Sequence, residues 1–337
     1  MPMPRERMLP QLETMLLMRR TEEAICEMQE EFPGNFHVYI GQEATGASVI
    51  SQLTPEDHIF TTHRNHAHNV ARGVPPEQVL AEILGRTTGP SGGKGGTFHV
   101  MSAPHHTVAT AIVGGSTILA TGAGLAAQVL GENKIGVAFL GDRTLNEGAV
   151  YEAFNLASLW QLPVLYVCEN NVGEPFDPRS SNLSAKQLLD VVRAFQIDAE
   201  AAEAMDPVAF HDVAERAVRH VRSERRPMFL ETRTNRWPGN LLAGDPSLAA
   251  TGPTDISVAW SPPADDKHEA WHRSDPVLRL TRAVIEEEIA DQAALLRLDA
   301  QVKERISRAL ANARAAPEPA GEAAFEHALA GGDLWPR

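Results

Sequence analysis

Cysteine is nearly absent: Cys26 and Cys168 are the only two in 337 residues, and the second sits inside an apolar run. That scarcity argues against a disulfide framework and fits a reducing compartment. Long apolar runs are missing as well. No stretch approaches the roughly 18 residues of a membrane span, and the opening "MPMPRERMLPQLETMLLMRR" mixes acids with bases without a signal-peptide core. A cytoplasmic protein with no membrane contact is expected. Basic residues are in deficit, 30 against 44 acidic, for a formal net charge of -14. A general attraction to nucleic acid is therefore not expected, and any phosphate must be gripped locally. Repeats of solenoid period are also lacking.

What is present is the material of a globular core, 43% hydrophobic and 22% charged residues. Apolar residues at helical spacing, Leu12, Met15, Leu16, Ile25 and Met28, predict an amphipathic helix from Leu9 to about Glu30. Residues 41–53 and 75–85 predict two more, with a His-rich turn between them. Residues 86–117 are glycine-rich and aperiodic, which in a compact protein marks a functional segment. A small-residue helix over 119–131 follows. "KIGVAFL" and "LPVLYVC" are short, continuously apolar and bounded by turn signals, as strands buried on both faces of a parallel sheet are. With the helix "NEGAVYEAFNLASLW" between them, 135–169 is one β-α-β unit. "PMFLETR" (227–233) after the helix 206–224 repeats the pattern. The expected fold is α/β, a doubly wound, mostly parallel sheet in residues 1–260. Residues 261–337, with two charged helices, are expected to form a C-terminal helical extension packed on it.

In a right-handed β-α-β unit both strands end on the edge where open α/β sheets bind ligands. Asp142 and Asn171 stand at those two ends. A carboxylate and an amide oxygen are hard ligands suited to Mg²⁺, which commonly adds water and ligand phosphates. A helix beginning near Asn146 would add a positive N-terminus. The plainer alternative makes Asp142 an N-cap and Asn171 a turn residue. "THRNHAH" gathers His63, Arg64, His66 and His68, open to a metal cluster or to hydrogen bonding.

"GDRTLNEGAVYEAFNLASLWQLPVLYVCENN" resembles the thiamine-diphosphate motif of alpha subunits of the first component of 2-oxo acid dehydrogenase complexes, the pyruvate, branched-chain and acetoin enzymes. The likeness extends through "FHVYIGQEA", "HRNHA", "GRTTGPSGGKGGTFHV", "IVGGSTILATGAG", "ETRTNRW" and "SDPVLRL", about residues 10 to 290. It implies that Asp142, Asn171 and the Gly173 carbonyl hold Mg²⁺, with Arg143 and Thr144 along the diphosphate. His63 and Arg64 match a Tyr-Arg pair on the diphosphate, and His66 a histidine two residues later. Ala111 and Val113 match main-chain contacts to the aminopyrimidine. His37 matches a histidine close to the reactive thiazolium carbon, and His99 matches another pocket-side histidine, the alternative for His99 being a buttress of the glycine-rich loop.

Two positions break the pattern. Arg143 replaces the second glycine of the motif, where a residue without Cβ lets the backbone approach phosphate. In "RWPGN", Pro238 and Asn240 replace histidines, and an amide cannot carry a proton near neutral pH. Asn240 is nevertheless the candidate catalytic residue at that position. The resemblance further implies a separate beta subunit supplying the activating glutamate, a heterotetramer of two alpha and two beta chains, and a lipoyl acyltransferase as acceptor. The alternatives are a carboligase or aldehyde transferase subunit acting without a lipoyl partner, and a scaffold subunit that has lost the cofactor.

Overall fold

The computed structural model describes residues 2–28, 36–171, 183–237 and 253–325. Six parallel strands among these residues form one sheet: β1 (His58–Thr61), β2 (Thr107–Ala109), β3 (Gly136–Gly141), β4 (Val164–Asn171), β5 (Asp198–Glu203) and β6 (Met228–Thr234). Their order is β2-β1-β3-β4-β6-β5, which places β3 and β4 at the centre.

The continuous apolar runs are explained by alternation. In β3 and β4, Ala138, Leu140, Val164, Tyr166 and Cys168 face one way, onto helices α5 (Gly115–Val129), α6 (Gly148–Leu159) and α7 (Leu188–Arg193). Val137, Phe139, Leu165 and Val167 face the other, onto α2 (Glu43–Ile50) and α8 (Pro207–Glu224). With both faces covered, each side of the strand must be apolar. Close packing of α5 onto the sheet uses its small residues: a Cβ on Gly136 would meet the Ala120 carbonyl at 2.5 Å, and one on Gly124 would meet Val164 at 2.5 Å.

The short strands escaped sequence reading. β1 and β2 have four and three residues, too few to show a period, and β5, "DAEAAE", is a half-exposed edge whose alternation of Ala and acid is weakly apolar. The expected His-rich turn is instead a helix, α3 (His66–Arg72), closed by Gly73 at φ +106°. It leads into α4 (Pro76–Ile83).

The opening helix, α1 (Arg5–Glu27), begins before Pro10 and shares one apolar cluster with the C-terminal helices α10 (Pro276–Glu286) and α11 (Gln292–Ala315), beyond the short α9 (Glu269–Ser274). Ion pairs fix its depth. Arg19, fully buried, donates to Glu43 at 2.6 Å and to both oxygens of Asp275 at 2.8 and 3.0 Å. Asp275 also caps α10 by accepting from Val277 N. Arg20 reaches Asp299 of α11 at 2.8 Å. No helix among the described residues is long and apolar enough to cross a membrane.

Removing Arg19 would leave two buried carboxylates without their cation. Arg19→Ala is expected to cost about 3–5 kcal/mol, measured by denaturant unfolding; a loss below about 1 kcal/mol would contradict this account of the ion-pair cluster.

Candidate active site

Five neighbouring strands, β2, β1, β3, β4 and β6, end at one edge, and the residues just past those ends wall a cavity of about 290 Å³. Past β1 come Thr62, His63 and Arg64; past β2, Thr110 to Gly114; past β3, Asp142, Arg143 and Thr144. β4 contributes Glu169 and Asn171, and Arg236 follows β6. The register explains the convergence: Gly141 pairs with Glu169, and Asn171 with Thr234. Asp142 thus lies one residue beyond Glu169's level, and alternation puts Glu169 and Asn171 on the same face of β4.

The capping alternative fails. The helical turn Asp142–Asn146 has Gly141 at its N-cap, and α6 has Glu147, so Asp142 occupies neither position. Asn171 is paired with Thr234 as the last described residue of β4. Its Nδ2 donates to the Glu169 carbonyl at 3.1 Å, while its Oδ1 accepts from Thr234 at 3.3 Å and keeps a second lone pair. A half-buried carboxylate and an amide oxygen on adjacent strand ends form an oxygen donor set that fits a hard divalent cation. Gly173 and Asn240 lie outside the described residues.

His37 and Gln42 enter the cavity from the segment between α1 and α2. Gly41 makes that possible. It has φ +96°, and a Cβ there would lie 2.0 Å from the Asn235 carbonyl, so this chain crosses the end of β6 at a distance only glycine allows. The Trp237 amide donates to Ile40 O at 3.0 Å and locks the crossing. Arg64, buried, donates to Val38 O at 2.7 Å, and its other Nη lies 3.5 Å from His37 Nδ1, which leaves that nitrogen as acceptor. The His37 and His63 rings meet edge to face at 4.5 Å.

Three positive groups line this cavity, Arg64, Arg143 and Arg236, following β1, β3 and β6. Arg143 does not adopt a positive φ, so its backbone needs no glycine, and its side chain is exposed. Ala111 and Val113 line the wall with Gly114, which has φ +85° at the start of α5; Ile112 and Val113 are exposed apolar residues at the rim.

Two expected histidines lie elsewhere. His66 is fully buried in the first turn of α3, with Nε2 2.9 Å from the Thr97 carbonyl and Nδ1 3.3 Å from Glu22, and does not line the cavity. His99 bonds to Ala109 O at 3.3 Å and lines a separate cleft with Ser91 and Lys94. His68 points to Thr61 and Tyr39, so the histidines of "THRNHAH" diverge rather than share a metal. The glycine-rich loop encloses a carboxylate of its own: Glu82 accepts from the amides of Ser91, Gly93 and Gly95 at 2.8, 3.0 and 2.6 Å. Gln42, Glu169 and Arg236 were missed in the sequence; a polar residue after an apolar run is no signal unless its level in the sheet is known.

Burial first, then the cations Arg64 and Arg236 and the neighbouring His37, push His63 down from 6.5 to about 3. Its imidazole is neutral in the folded protein across the physiological range. Between about 6.5 and about 3 the unfolded chain takes up a proton that the folded chain refuses, so stability falls as pH drops through that window. His63→Gln is expected to lose less stability than the parent between about pH 7 and about pH 5, read from unfolding midpoints; parallel losses would contradict the depressed value.

The family model described as "Dehydrogenase E1 component" matches residues 13–322. The pyruvate dehydrogenase E1 component subunit alpha of Rickettsia bellii is 32% identical over 318 residues, covering 94% of this chain and 93% of that protein. The same subunit of Porphyra purpurea is 32% identical over 325 residues, with 94% and 90% covered. The alpha subunit of acetoin:2,6-dichlorophenolindophenol oxidoreductase of Cupriavidus necator is 30% identical over 320 residues, 92% of each. A match this long, with relatives similar from end to end, means that the chain belongs to the dehydrogenase E1 component family.

Proposed function

We propose that this chain is the alpha-type subunit of a thiamine-diphosphate-dependent 2-oxo acid or acetoin dehydrogenase, and that the strand-edge cavity holds the magnesium-diphosphate end of the cofactor. The observation that carries the reading is the convergence of Asp142, Asn171, Arg64 and the segment Ala111–Val113 on one cavity of about 290 Å³. Asp142 and Asn171 supply oxygen ligands to Mg²⁺, joined by the Gly173 carbonyl. Arg64, Arg143 and Thr144 bind and orient the phosphates, with His63 as a neutral donor beside them. His37 faces the reacting end. When bound, thiamine diphosphate supplies the electron sink for cleavage next to a carbonyl, and the protein supplies position and field.

Such a chain is half of an active site. The exposed Ile112 and Val113 at the cavity rim suit a wall completed by a beta subunit, which would also supply the activating glutamate, in a heterotetramer of two alpha and two beta chains located in the cytoplasm. A lipoyl acyltransferase is the acceptor in this reading. A second reading, a carboligase or aldehyde transferase without a lipoyl partner, is favoured by Asn240, an amide at a position where a proton carrier is expected. Turnover with an artificial electron acceptor but none with a lipoyl domain selects the second; reductive acylation of the lipoyl domain selects the first.

Asp142→Ala is expected to abolish the Mg²⁺-dependent heat of thiamine diphosphate binding in calorimetry of the chain with its partner. Unchanged affinity would show that the cation is not held at this edge.

A further inference from the structure

Among the described residues, buried acids are neutralised in one of two ways. Glu23, Glu43, Asp57, Glu231, Asp275 and Asp299 each have an arginine partner. Glu22 and Glu82 have no arginine among their bonds, but both of their oxygens are engaged. Glu169 has neither form of compensation. It is 3% exposed, and both its bond from Tyr39 and the approach of His68 Nε2 at 3.5 Å fall on Oε1. Its Oε2 takes no bond from a described residue, and Glu169 lines the strand-edge cavity. A buried carboxylate left half-bonded and without a cation is costly, so a positive group belongs beside it.

The donors behind it run in one direction. A carboxylate only accepts, so the Tyr39 hydroxyl donates to Glu169. His68 Nε2, 2.9 Å from that hydroxyl, donates in turn, and His68 Nδ1 lies 2.7 Å from the Thr61 hydroxyl. His68 stacks on Phe139 at 4.0 Å, which fixes its ring plane. Every member of this chain is buried, so Glu169 is held from below at the cavity wall that it lines.

We propose that Glu169 is a positioning residue of the divalent-cation site: its Oε2 accepts hydrogen bonds from cation-bound water and thereby sets how tightly the cation is held. The inference rests on the placement of the cation at Asp142 and Asn171. Glu169 shares the face of β4 with Asn171 and sits level with Gly141, directly before Asp142. Mg²⁺ retains several waters when protein carboxylates bind it, and outer acceptors for those waters commonly govern affinity. Tyr39 and His68 act through Glu169.

The test is Mg²⁺ titration by calorimetry in the presence of thiamine diphosphate, using the full chain with its partner subunit. Glu169→Gln, which keeps shape and removes charge, is expected to weaken Mg²⁺ binding about 10- to 100-fold. Tyr39→Phe is expected to weaken it less, and the double variant no more than Glu169→Gln alone, because the two act as one unit. Asp142→Ala is the reference. If it abolishes binding while Glu169→Gln and Tyr39→Phe bind Mg²⁺ as the parent does, this inference fails and the cation placement survives. If Asp142→Ala also binds as the parent does, both fail. A lowered melting temperature without Mg²⁺, alongside unchanged Mg²⁺ affinity, would mean that Glu169 serves packing only and would equally overturn the proposal.

Discussion

Covering both faces of a parallel sheet is the constraint from which the site follows. Once α5, α6 and α7 lie on one side and α2 and α8 on the other, strand interiors must be apolar in both directions, and polar side chains are displaced to the strand ends. Because all six strands run the same way, those ends coincide at one edge. The chemistry therefore comes from residues far apart in sequence, Arg64, Asp142, Asn171 and Arg236, that share only their level in the sheet. This is the general location of ligand sites in open α/β sheets.

A second layer of order comes from α1. Arg19 holds Glu43, whose other oxygen accepts from the Gly41 amide at 2.9 Å. Through that bond the buried ion-pair cluster reaches the segment that carries His37, Tyr39 and Gln42 over the end of β6. The same arginine fixes Asp275 at the head of α10, so that helix and one wall of the cavity share one buried cation. Removing it would be felt in both places.

The α/β class and the membership of the chain in its family are legible in the amino-acid sequence, because β3, β4 and β6 are continuous apolar runs and the motifs around Asp142 and Asn171 occur in order. Length and exposure conceal the rest. β2 is three residues inside a glycine-rich stretch, and β5 is a half-exposed edge. Histidines are the least legible of the polar residues. His63 and His66 stand three apart, yet one meets the cavity and the other turns to Glu22, a difference decided by where α3 begins. Glu169 gives no signal, since an acid after an apolar run is indistinguishable from a solvated one until the strand register is known. Arg143 does break the motif, and without a positive φ its backbone does not require glycine.

The central claim is that the carboxyl edge of β3 and β4 clamps a divalent cation against a diphosphate. A crystal structure of the chain with its partner subunit, thiamine diphosphate and Mn²⁺ in place of Mg²⁺ tests it most directly. The account requires the anomalous peak of the metal to lie between the side-chain oxygens of Asp142 and Asn171, with the diphosphate on its far side. Metal and cofactor density elsewhere, or those two side chains turned away from a bound metal, would contradict it.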